Sequence, residues 1–264
     1  MGAGAAKGRP KKNSFCECTN IVFVAGDTVR IEFIWPGPAP HGGQFFLIKP
    51  RRSGVFLGRP ISVAEWRPRN PIKPDDGGIL GFIISRQGKG SRELVDLRPG
   101  EEAELTGPLG NSWADFDTET GGVIALVGGG TGIAPLLSFA QELGKRQFDF
   151  YAGFRTGSFC LEKIKPRSLV ITSENGSQGI KGRITDFFTP SGYGAVFACG
   201  PELMLKTVGD ACIACEVPCF ISMERHMACG VGACLGCTVR TIKGNRLCCS
   251  DGPIFRAEEV CFDR

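Results

Sequence analysis

The segment from Met227 to Cys237 constrains this chain most, because it places three cysteines at C-x4-C-x2-C spacing among small residues. The cysteines are Cys229, Cys234 and Cys237, and glycines lie between them. An iron–sulfur cluster needs thiolates that converge on a compact inorganic core, and this is the plant-type [2Fe–2S] spacing. Glycines relieve crowding and allow positive φ, so that backbone N–H groups can turn toward sulfur. The pattern therefore predicts a [2Fe–2S] cluster.

A fourth thiolate is required, and two adjacent cysteines offer it. Cys248 and Cys249 precede the segment Ser250-Asp251-Gly252-Pro253, and the residues alone leave both open. Zinc is the rival interpretation, but zinc sites favour two C-x2-C hooks at separate places. Buried thiols or disulfides without a metal fit poorly with so glycine-rich a loop.

Length and composition restrict the class of protein. The chain has 264 residues, which predicts about two domains with a small third one. The formal charge is +4, and no Lys/Arg stripe with interleaved aromatics occurs, so no nucleic-acid partner is expected. The cysteines number thirteen, an odd count, and no secretory leader is recognised, which favours free thiols in a reducing cytoplasm. Residues 1–15 are predicted to be a disordered tail.

An uncharged stretch from 121 to 140 has the length of a membrane span. Six of its residues are glycine, and Pro135 lies among them. A buried strand that enters a glycine loop explains this composition better, so no membrane partner is predicted.

The fold predicted for residues 16–115 is a small antiparallel β-barrel. Short β-like segments alternate with Gly or Pro turns, and no long 3.6-residue period occurs. Arg59-Pro60-Ile61-Ser62 places a cation beside a hydroxyl, and Gly88-Lys89-Gly90-Ser91 opens a short helix. Backbone N–H groups at a helix start bind phosphate, so the two motifs together predict a pyrophosphate site, although each alone is weak.

Residues 120–216 are predicted to form a parallel α/β domain, because strand-like and helix-like segments alternate. Ligands bind at the carboxyl ends of such strands, where the glycine run, Arg155, Glu174 and Cys199-Gly200 fall. The run lacks the third glycine of G-x-G-x-x-G. Gly130-Thr131-Gly132 is therefore equally consistent with a dinucleotide pyrophosphate site and with a turn for close helix packing.

Residues 217–264 are predicted to be a small cluster domain. Just before the cluster motif, Cys212, Cys215 and Cys219 stand at i, i+3 and i+7, which predicts one buried stripe of a helix. His41 and His226 are interpreted as structural or exposed, since a Rieske centre needs two histidines at the cluster.

A flavin, a nicotinamide and a cluster would together form an electron-transfer chain. NADH exchanges two electrons as hydride and a [2Fe–2S] cluster exchanges one, so a flavin must stand between them. No residues suggest a site for oxidising an organic substrate, and none is predicted to be catalytic in its own right. The other end of the electron path is therefore expected on another protein.

The order of four segments resembles the ferredoxin reductase superfamily: Arg59–Ser62, Gly88–Ser91, Gly130–Pro135 and Cys199–Met204. The tail from Glu224 to Cys237, with Cys249–Pro253, is similar more specifically to the electron-transfer subunits of NAD-linked dihydroorotate dehydrogenase. The resemblance covers about residues 21–260. It implies an FAD-binding barrel, an NAD-binding α/β domain and a C-terminal [2Fe–2S] domain.

The resemblance also implies ligands. It makes Cys249 the fourth cluster ligand, beside Cys229, Cys234 and Cys237. It implies that FAD is held by Arg59, Pro60, Ile61, Ser62, Ile83, Ile84, Ser85, Gly90 and Ser91, with Ile61 where the superfamily has tyrosine. NAD is expected at Gly130, Thr131 and Gly132, with the nicotinamide near Cys199 and Gly200.

The implied partner is an FMN-containing dihydroorotate dehydrogenase catalytic subunit, in a heterotetramer of two of each. Electrons would pass from FMN through [2Fe–2S] and FAD to NAD+. One alternative is the small subunit of an NAD(P)H:ferredoxin oxidoreductase or sulfide dehydrogenase, although those relatives tend to have aspartate where Cys229 stands. A flavin-free iron–sulfur sensor or binding protein is the other alternative.

Overall fold

A closed antiparallel barrel forms the N-terminal part of the computed structural model, which describes residues 12–116 and 122–262. Its strands run in the order β1-β2-β5-β4-β3-β6, and the helix α1 connects β5 to β6. The bounds are β1 (Lys12–Ala25), β2 (Thr28–Trp35), β3 (Phe45–Pro50), β4 (Arg59–Pro68), β5 (Gly78–Ser85), α1 (Lys89–Val95) and β6 (Glu102–Leu109). The predicted barrel is confirmed.

The barrel core follows from strict alternation along β2. Val29, Ile31, Phe33 and Trp35 are fully buried, because alternate side chains of a strand point to the same face. The ring centroids of Trp35 and Phe46 lie 4.9 Å apart in an edge-on contact.

The first strand begins inside the segment predicted to be a disordered tail. Lys12 pairs with Gly107 and β1 continues without a break, so the prediction is wrong for residues 12–15, while residues 1–11 lie outside the described part. The start of β1 closes the barrel through backbone hydrogen bonds to β6, and Phe15 points largely into solvent. Backbone pairing of this kind leaves no apolar pattern in the sequence.

A seven-stranded sheet follows, in the order β10-β9-β8-β7-β11-β12-β15. All its strand pairs are parallel except β12 with β15. A separate hairpin, β13-β14, lies between β12 and β15 in the chain. The bounds are β7 (Ile124–Gly129), α2 (Ile133–Glu142), β8 (Phe148–Phe154), β9 (Ser168–Ser173), β10 (Ile180–Lys181), β11 (Ala195–Cys199), α3 (Glu202–Ala214), β12 (Cys219–Ser222), β13 (Thr238–Thr241), β14 (Gly244–Leu247) and β15 (Ile254–Arg256).

The central strand β7 separates two cores. Ile124 and Leu126 pack on the side of α2, together with barrel residues, whereas Ala125 and Val127 pack on the side of α3. Burial of both faces explains why the uncharged stretch reads as a continuous apolar run. The prediction of a buried strand entering a glycine loop is confirmed for its described part, and none of the described helices is long and apolar enough to cross a membrane.

The C-terminal segment predicted as a separate domain contributes two strands to this sheet. β12 pairs with β11, and β15 pairs with β12, so the boundary predicted at residue 217 precedes two strands of the α/β sheet. Asn111, just after β6, fastens the segment to the barrel: its Nδ2 donates to the Ile254 carbonyl at 2.9 Å and its Oδ1 accepts from the Ile254 N–H at 3.0 Å.

The prediction that Cys212, Cys215 and Cys219 form one buried stripe of a helix is wrong beyond Cys212. α3 stops at Ala214, because Glu216 adopts a left-handed conformation and Pro218 follows. Cys215 is exposed, whereas Cys212 and Cys219 are buried and their thiols are hydrogen bonded. Cys219 lies in β12, so the two meet across a helix and a strand.

Trp113 joins the barrel to the sheet. Its ring is fully buried, its centroid lies 5.6 Å from that of Phe197, and its Nε1 donates to the Pro135 carbonyl at 3.1 Å. We expect Trp113→Ala to lower the free energy of unfolding by about 3–5 kcal/mol, because it leaves a cavity between the barrel and the sheet, although the Pro135 carbonyl keeps its bond from Ser138 Oγ. Denaturant titration measures this. The exposed Ile72 is the control, since Ile72→Ala should cost less than about 0.5 kcal/mol; equal losses would contradict the role of Trp113.

Candidate cluster and dinucleotide sites

The predicted cluster cysteines lie close together in two pairs. The loop between β12 and β13 brings the side chains of Cys229 and Cys234 into hydrogen-bond contact, and Cys237 meets Cys249, which follows β14. Among residues 12–116 and 122–262, no three His, Cys, Asp or Glu side chains converge on a single ion-sized site. Two pairs of sulfurs suit a [2Fe–2S] core, where each iron takes two protein ligands, rather than one tetrahedral zinc.

Backbone N–H groups point at these sulfurs, as the glycine-rich loop predicts. Cys229 Sγ accepts from the N–H of Val231 at 3.5 Å and of Cys234 at 3.4 Å. Cys249 Sγ accepts from the Gly232 N–H at 3.2 Å. The chain turns back toward the sulfurs because Gly232 has φ +82°, a conformation that other residues avoid.

The pKa shifts of the thiols differ within the set. The Val231 and Cys234 N–H groups lower the pKa of Cys229 to about 6, because they stabilise the thiolate form. Burial and the neighbouring Cys237 thiol raise the pKa of Cys249 to about 12. A positive charge bound between the two pairs would offset both unfavourable effects at Cys249, so the donor set fits a thiophilic metal centre.

The two adjacent cysteines after β14 point in different directions. Cys249 faces the loop through its contact with the Gly232 N–H. Cys248 is fully buried, and its Sγ donates to the Met223 carbonyl at 3.0 Å. The side chain of Cys248 is therefore engaged with the carbonyl just after β12, whereas that of Cys249 meets Cys237 and faces the cluster loop.

The cluster loop lies directly on the barrel, a contact that the sequence does not reveal. A Cβ atom placed on Gly230 would lie 2.8 Å from Leu47 Cδ1 and 3.1 Å from Leu109 Cδ1. Leu47 belongs to β3 and Leu109 ends β6. A glycine at position 230 lets the backbone approach the two leucine side chains this closely.

The two predicted phosphate motifs of the barrel also meet. A Cβ atom on Gly90, in α1, would lie 3.0 Å from Arg59 Cδ and Nε. Arg59 Nη2 donates to the Leu57 carbonyl at 2.9 Å, but Arg59 Nε is buried without a hydrogen-bond partner. A buried guanidinium N–H without an acceptor is costly, so this site fits a group that supplies one, such as a phosphate.

Other residues predicted to hold FAD are engaged within the protein. Ser91 Oγ accepts from the N–H groups of Gln87 and Gly88, both at 2.9 Å, and so stabilises the turn. Ile84 packs in the barrel core and Ile83 against the α2 side of the sheet. Ser85 shares a 2.7 Å hydrogen bond with Thr28.

Pro60, Ile61 and Ser62 are half-buried along β4, where they pair with β3. These positions place them beside Arg59, on the strand that opens the predicted flavin site.

The predicted nicotinamide residues lie together at the carboxyl edge of the sheet. Gly130-Thr131-Gly132 forms a single 3-10 turn between β7 and α2. A Cβ atom on Gly132 would lie 2.5 Å from the Cys199 carbonyl oxygen, so the two loops touch. The Cys199 thiol is hydrogen bonded to Ser222, and burial raises its pKa well above the ordinary value, which keeps it neutral.

Two exposed side chains of opposite charge follow neighbouring strands at the same edge. The Glu174 N–H donates to the Phe154 carbonyl at 3.0 Å, and the Asn175 N–H donates to the Arg155 carbonyl at 3.4 Å. The loops after β8 and β9 therefore run side by side, with Arg155 on one and Glu174 on the other.

The cluster ligands can be tested with the two adjacent cysteines. We expect Cys249→Ser to lose or destabilise the cluster, because its sulfur is paired with that of Cys237 and faces the loop that carries the other two. Cys248→Ser should keep it, since a serine hydroxyl can still donate to Met223. Visible absorbance and the EPR signal of the reduced protein measure both. A Cys249→Ser protein with an unchanged EPR signal would refute the assignment.

The flavin site can be tested at Arg59. Arg59→Ala should weaken FAD binding about tenfold or more, because a charge-assisted bond to phosphate is lost. FAD released per chain on denaturation measures this, and cluster absorbance should not change. Arg69→Ala, an exposed arginine beyond the far end of β4, is the matched control. Equal FAD content in both variants would show that Arg59 does not hold the flavin.

Comparison with known proteins places these sites in a family. Residues 224–261 match the family described as the iron–sulfur cluster binding domain of dihydroorotate dehydrogenase B. The dihydroorotate dehydrogenase B (NAD(+)) electron transfer subunit of Clostridium perfringens is 40% identical over 228 residues, which cover 84% of this chain and 87% of that protein. The corresponding subunit of Caldanaerobacter subterraneus is 36% identical over 246 residues, 90% of this chain and 94% of its own.

Among solved structures, one described as an NADH-dependent reduced ferredoxin-NADP oxidoreductase superposes with a TM-score of 0.81 and 29% identity. It covers 94% of this chain and 90% of its own. A ferredoxin reductase of carbazole 1,9a-dioxygenase, at 23% identity and a TM-score of 0.66, covers 80% of this chain and 68% of its own and shares the fold. The relatives of high identity share one name, and the chain belongs to the family of dihydroorotate dehydrogenase B (NAD(+)) electron transfer subunits.

Proposed function

We propose that this chain carries electrons from the FMN of a dihydroorotate dehydrogenase catalytic subunit through [2Fe–2S] and FAD to NAD+, in pyrimidine (UMP) biosynthesis in the cytoplasm. The observation that supports it most is the position of the cluster loop, whose Gly230 lies against Leu47 and Leu109 of the barrel that contains the unpaired Arg59 Nε. A one-electron centre beside a flavin site, with a nicotinamide site at the sheet edge, is the arrangement that such a path needs.

Each cofactor is assigned to residues of this chain. Cys229, Cys234, Cys237 and Cys249 would hold the cluster, which supplies one-electron transfer. Arg59 and Gly90 would hold the FAD pyrophosphate, with Pro60, Ile61, Ser62, Ile83, Ile84, Ser85 and Ser91 around the flavin. Gly130, Thr131, Gly132, Cys199 and Gly200 would hold the nicotinamide dinucleotide.

The role of the chain's own groups is to bind and orient. The N–H groups of Val231, Gly232 and Cys234 stabilise negative charge on sulfur. Gly132 packs against the Cys199 carbonyl, and burial keeps the Cys199 thiol neutral, so neither adds bulk or charge at the edge where the nicotinamide ring would lie.

The partner is expected to cover the cluster loop. Val231 and Leu235 alternate with the ligands and are 53% and 64% exposed, so they do not shield the sulfurs within this subunit. Exposed apolar side chains around a metal centre suit a buried subunit interface. We propose that the FMN-containing catalytic subunit docks here, with two of each subunit in the complex.

The proposed function predicts both a reaction and a preference. The complex with the catalytic subunit encoded in the same genome should reduce NAD+ when dihydroorotate is supplied. NAD+ should react at least about tenfold faster than NADP+, because the Glu174 carboxylate repels a 2′-phosphate. Glu174→Gln should lower the ratio of the NAD+ rate to the NADP+ rate. Steady-state rates with both nucleotides measure this. Equal rates with NADP+ would contradict the preference, since they would mean that Arg155 dominates.

The structural likeness to the ferredoxin-NADP oxidoreductase favours one second candidate, an NAD(P)H:ferredoxin oxidoreductase subunit. The same preparations distinguish the two. Reduction of NAD+ by reduced ferredoxin, with no response to dihydroorotate, would favour the second candidate.

A further inference from the structure

Phe56 lies at the surface of the barrel with 90% of its area exposed. It stands in the loop 51–58 between β3 and β4, next to Leu57, which is also exposed. A single exposed apolar residue needs no explanation, but one that continues an apolar surface indicates an interaction site. Whether Phe56 belongs to an interaction site therefore depends on its position relative to the cluster loop.

The outer face of β3 connects the cluster loop to Phe56. Phe46 and Ile48 point into the barrel core, so Leu47 and Lys49 point outward. Leu47 lies beneath Gly230 of the cluster loop, as described above. Two residues further along β3, about 7 Å away, the Lys49 Nζ lies 5.9 Å from the centre of the Phe56 ring.

The loop 51–58 also returns to Leu47. A Cβ atom on Gly58 would lie 3.3 Å from Leu47 Cβ, so this loop and the cluster loop lie on either side of one residue. The cluster loop, which carries the exposed Val231 and Leu235, and the loop that carries Phe56 thus meet at the same outward-facing side chain of β3.

Charges of both signs border this face. Lys49 lies against the Phe56 ring and stands opposite Glu104 of β6. Glu93 accepts a hydrogen bond from Ser53, in the same loop as Phe56. A partner that covers this face must therefore supply an apolar pocket for the Phe56 ring.

We propose that the surface that docks the catalytic subunit extends from the cluster loop along the outer face of β3 to Phe56, which is its apolar anchor. This inference rests on the proposed function, because electron transfer requires the partner to approach the cluster loop, and Phe56 continues that surface. The partner face is an aromatic- or aliphatic-lined pocket that receives the Phe56 ring.

The test measures assembly of the holoprotein, with FAD and cluster bound, with the purified catalytic subunit. Phe56→Glu should raise the Kd about 30-fold or more, because it puts a charge in the pocket that receives the ring. FAD content, cluster absorbance and oxidation of NADH by ferricyanide should stay at wild-type values, since none of these needs the partner.

The matched control is Ile72→Glu. Ile72 is 88% exposed in the loop that follows β4, whereas Phe56 is in the loop that precedes it, and the ten residues of β4 separate them by about 30 Å. Its Kd should stay within about threefold of the wild type. Leu235→Glu, in the cluster loop, should weaken assembly as Phe56→Glu does.

Three outcomes would overturn the inference. If Leu235→Glu weakens assembly but Phe56→Glu does not, docking stops at the cluster loop and the proposed function stands. If Phe56→Glu loses FAD, the ring contacts the flavin nucleotide instead of the partner. If the wild-type holoprotein does not bind the catalytic subunit at all, the proposed function fails and the inference fails with it.

Discussion

The close contact between the C-terminal segment and the outer face of the barrel determines how the rest of the structure is arranged. Asn111 uses its whole amide for this contact, since its Nδ2 and Oδ1 both bond the backbone of Ile254. The Asn111 N–H also donates to the Gly252 carbonyl at 2.7 Å. Because Cys249 lies just before this segment and Gly230 lies on Leu47, the barrel fixes both parts of the sulfur set. The residues proposed to hold the flavin and those proposed to hold the cluster are thus positioned by neighbouring strands of the barrel.

Much of the fold could be predicted because burial produces a period in the sequence. The alternation along β2 and the continuous apolar run of β7 both result from the number of faces that each strand buries. The start of β1 and the end of α3 could not be predicted in the same way. Lys12–Phe15 is held by backbone pairing, which is independent of side chains, and the cysteine spacing that suggested a helix continues across a turn into β12.

Some features of the sites could likewise be predicted from the sequence, and others could not. The C-x4-C-x2-C spacing predicted the cluster ligands, because cluster chemistry constrains the separation of ligands that are near each other in the chain. The pairing of Arg59 with Gly90 was predicted from two weak motifs and is visible only in three dimensions. The direction of Cys248 depends on a carbonyl at the end of β12, twenty-five positions earlier in the chain, and no local pattern records such a contact. The hydroxyl of Ser91 is used by its own turn, which composition could not show.

The neighbouring positions of β12 and β15 bear on how the protein folds. Ser222 pairs with Ile254, and the Met223 N–H donates to the Pro253 carbonyl at 2.8 Å. The two ends of the segment 223–253, which contains all four cysteines predicted to hold the cluster, therefore meet at the sheet. Strand pairing therefore offsets part of the entropy of closing this segment, and metal–sulfur bonds need to supply only the rest.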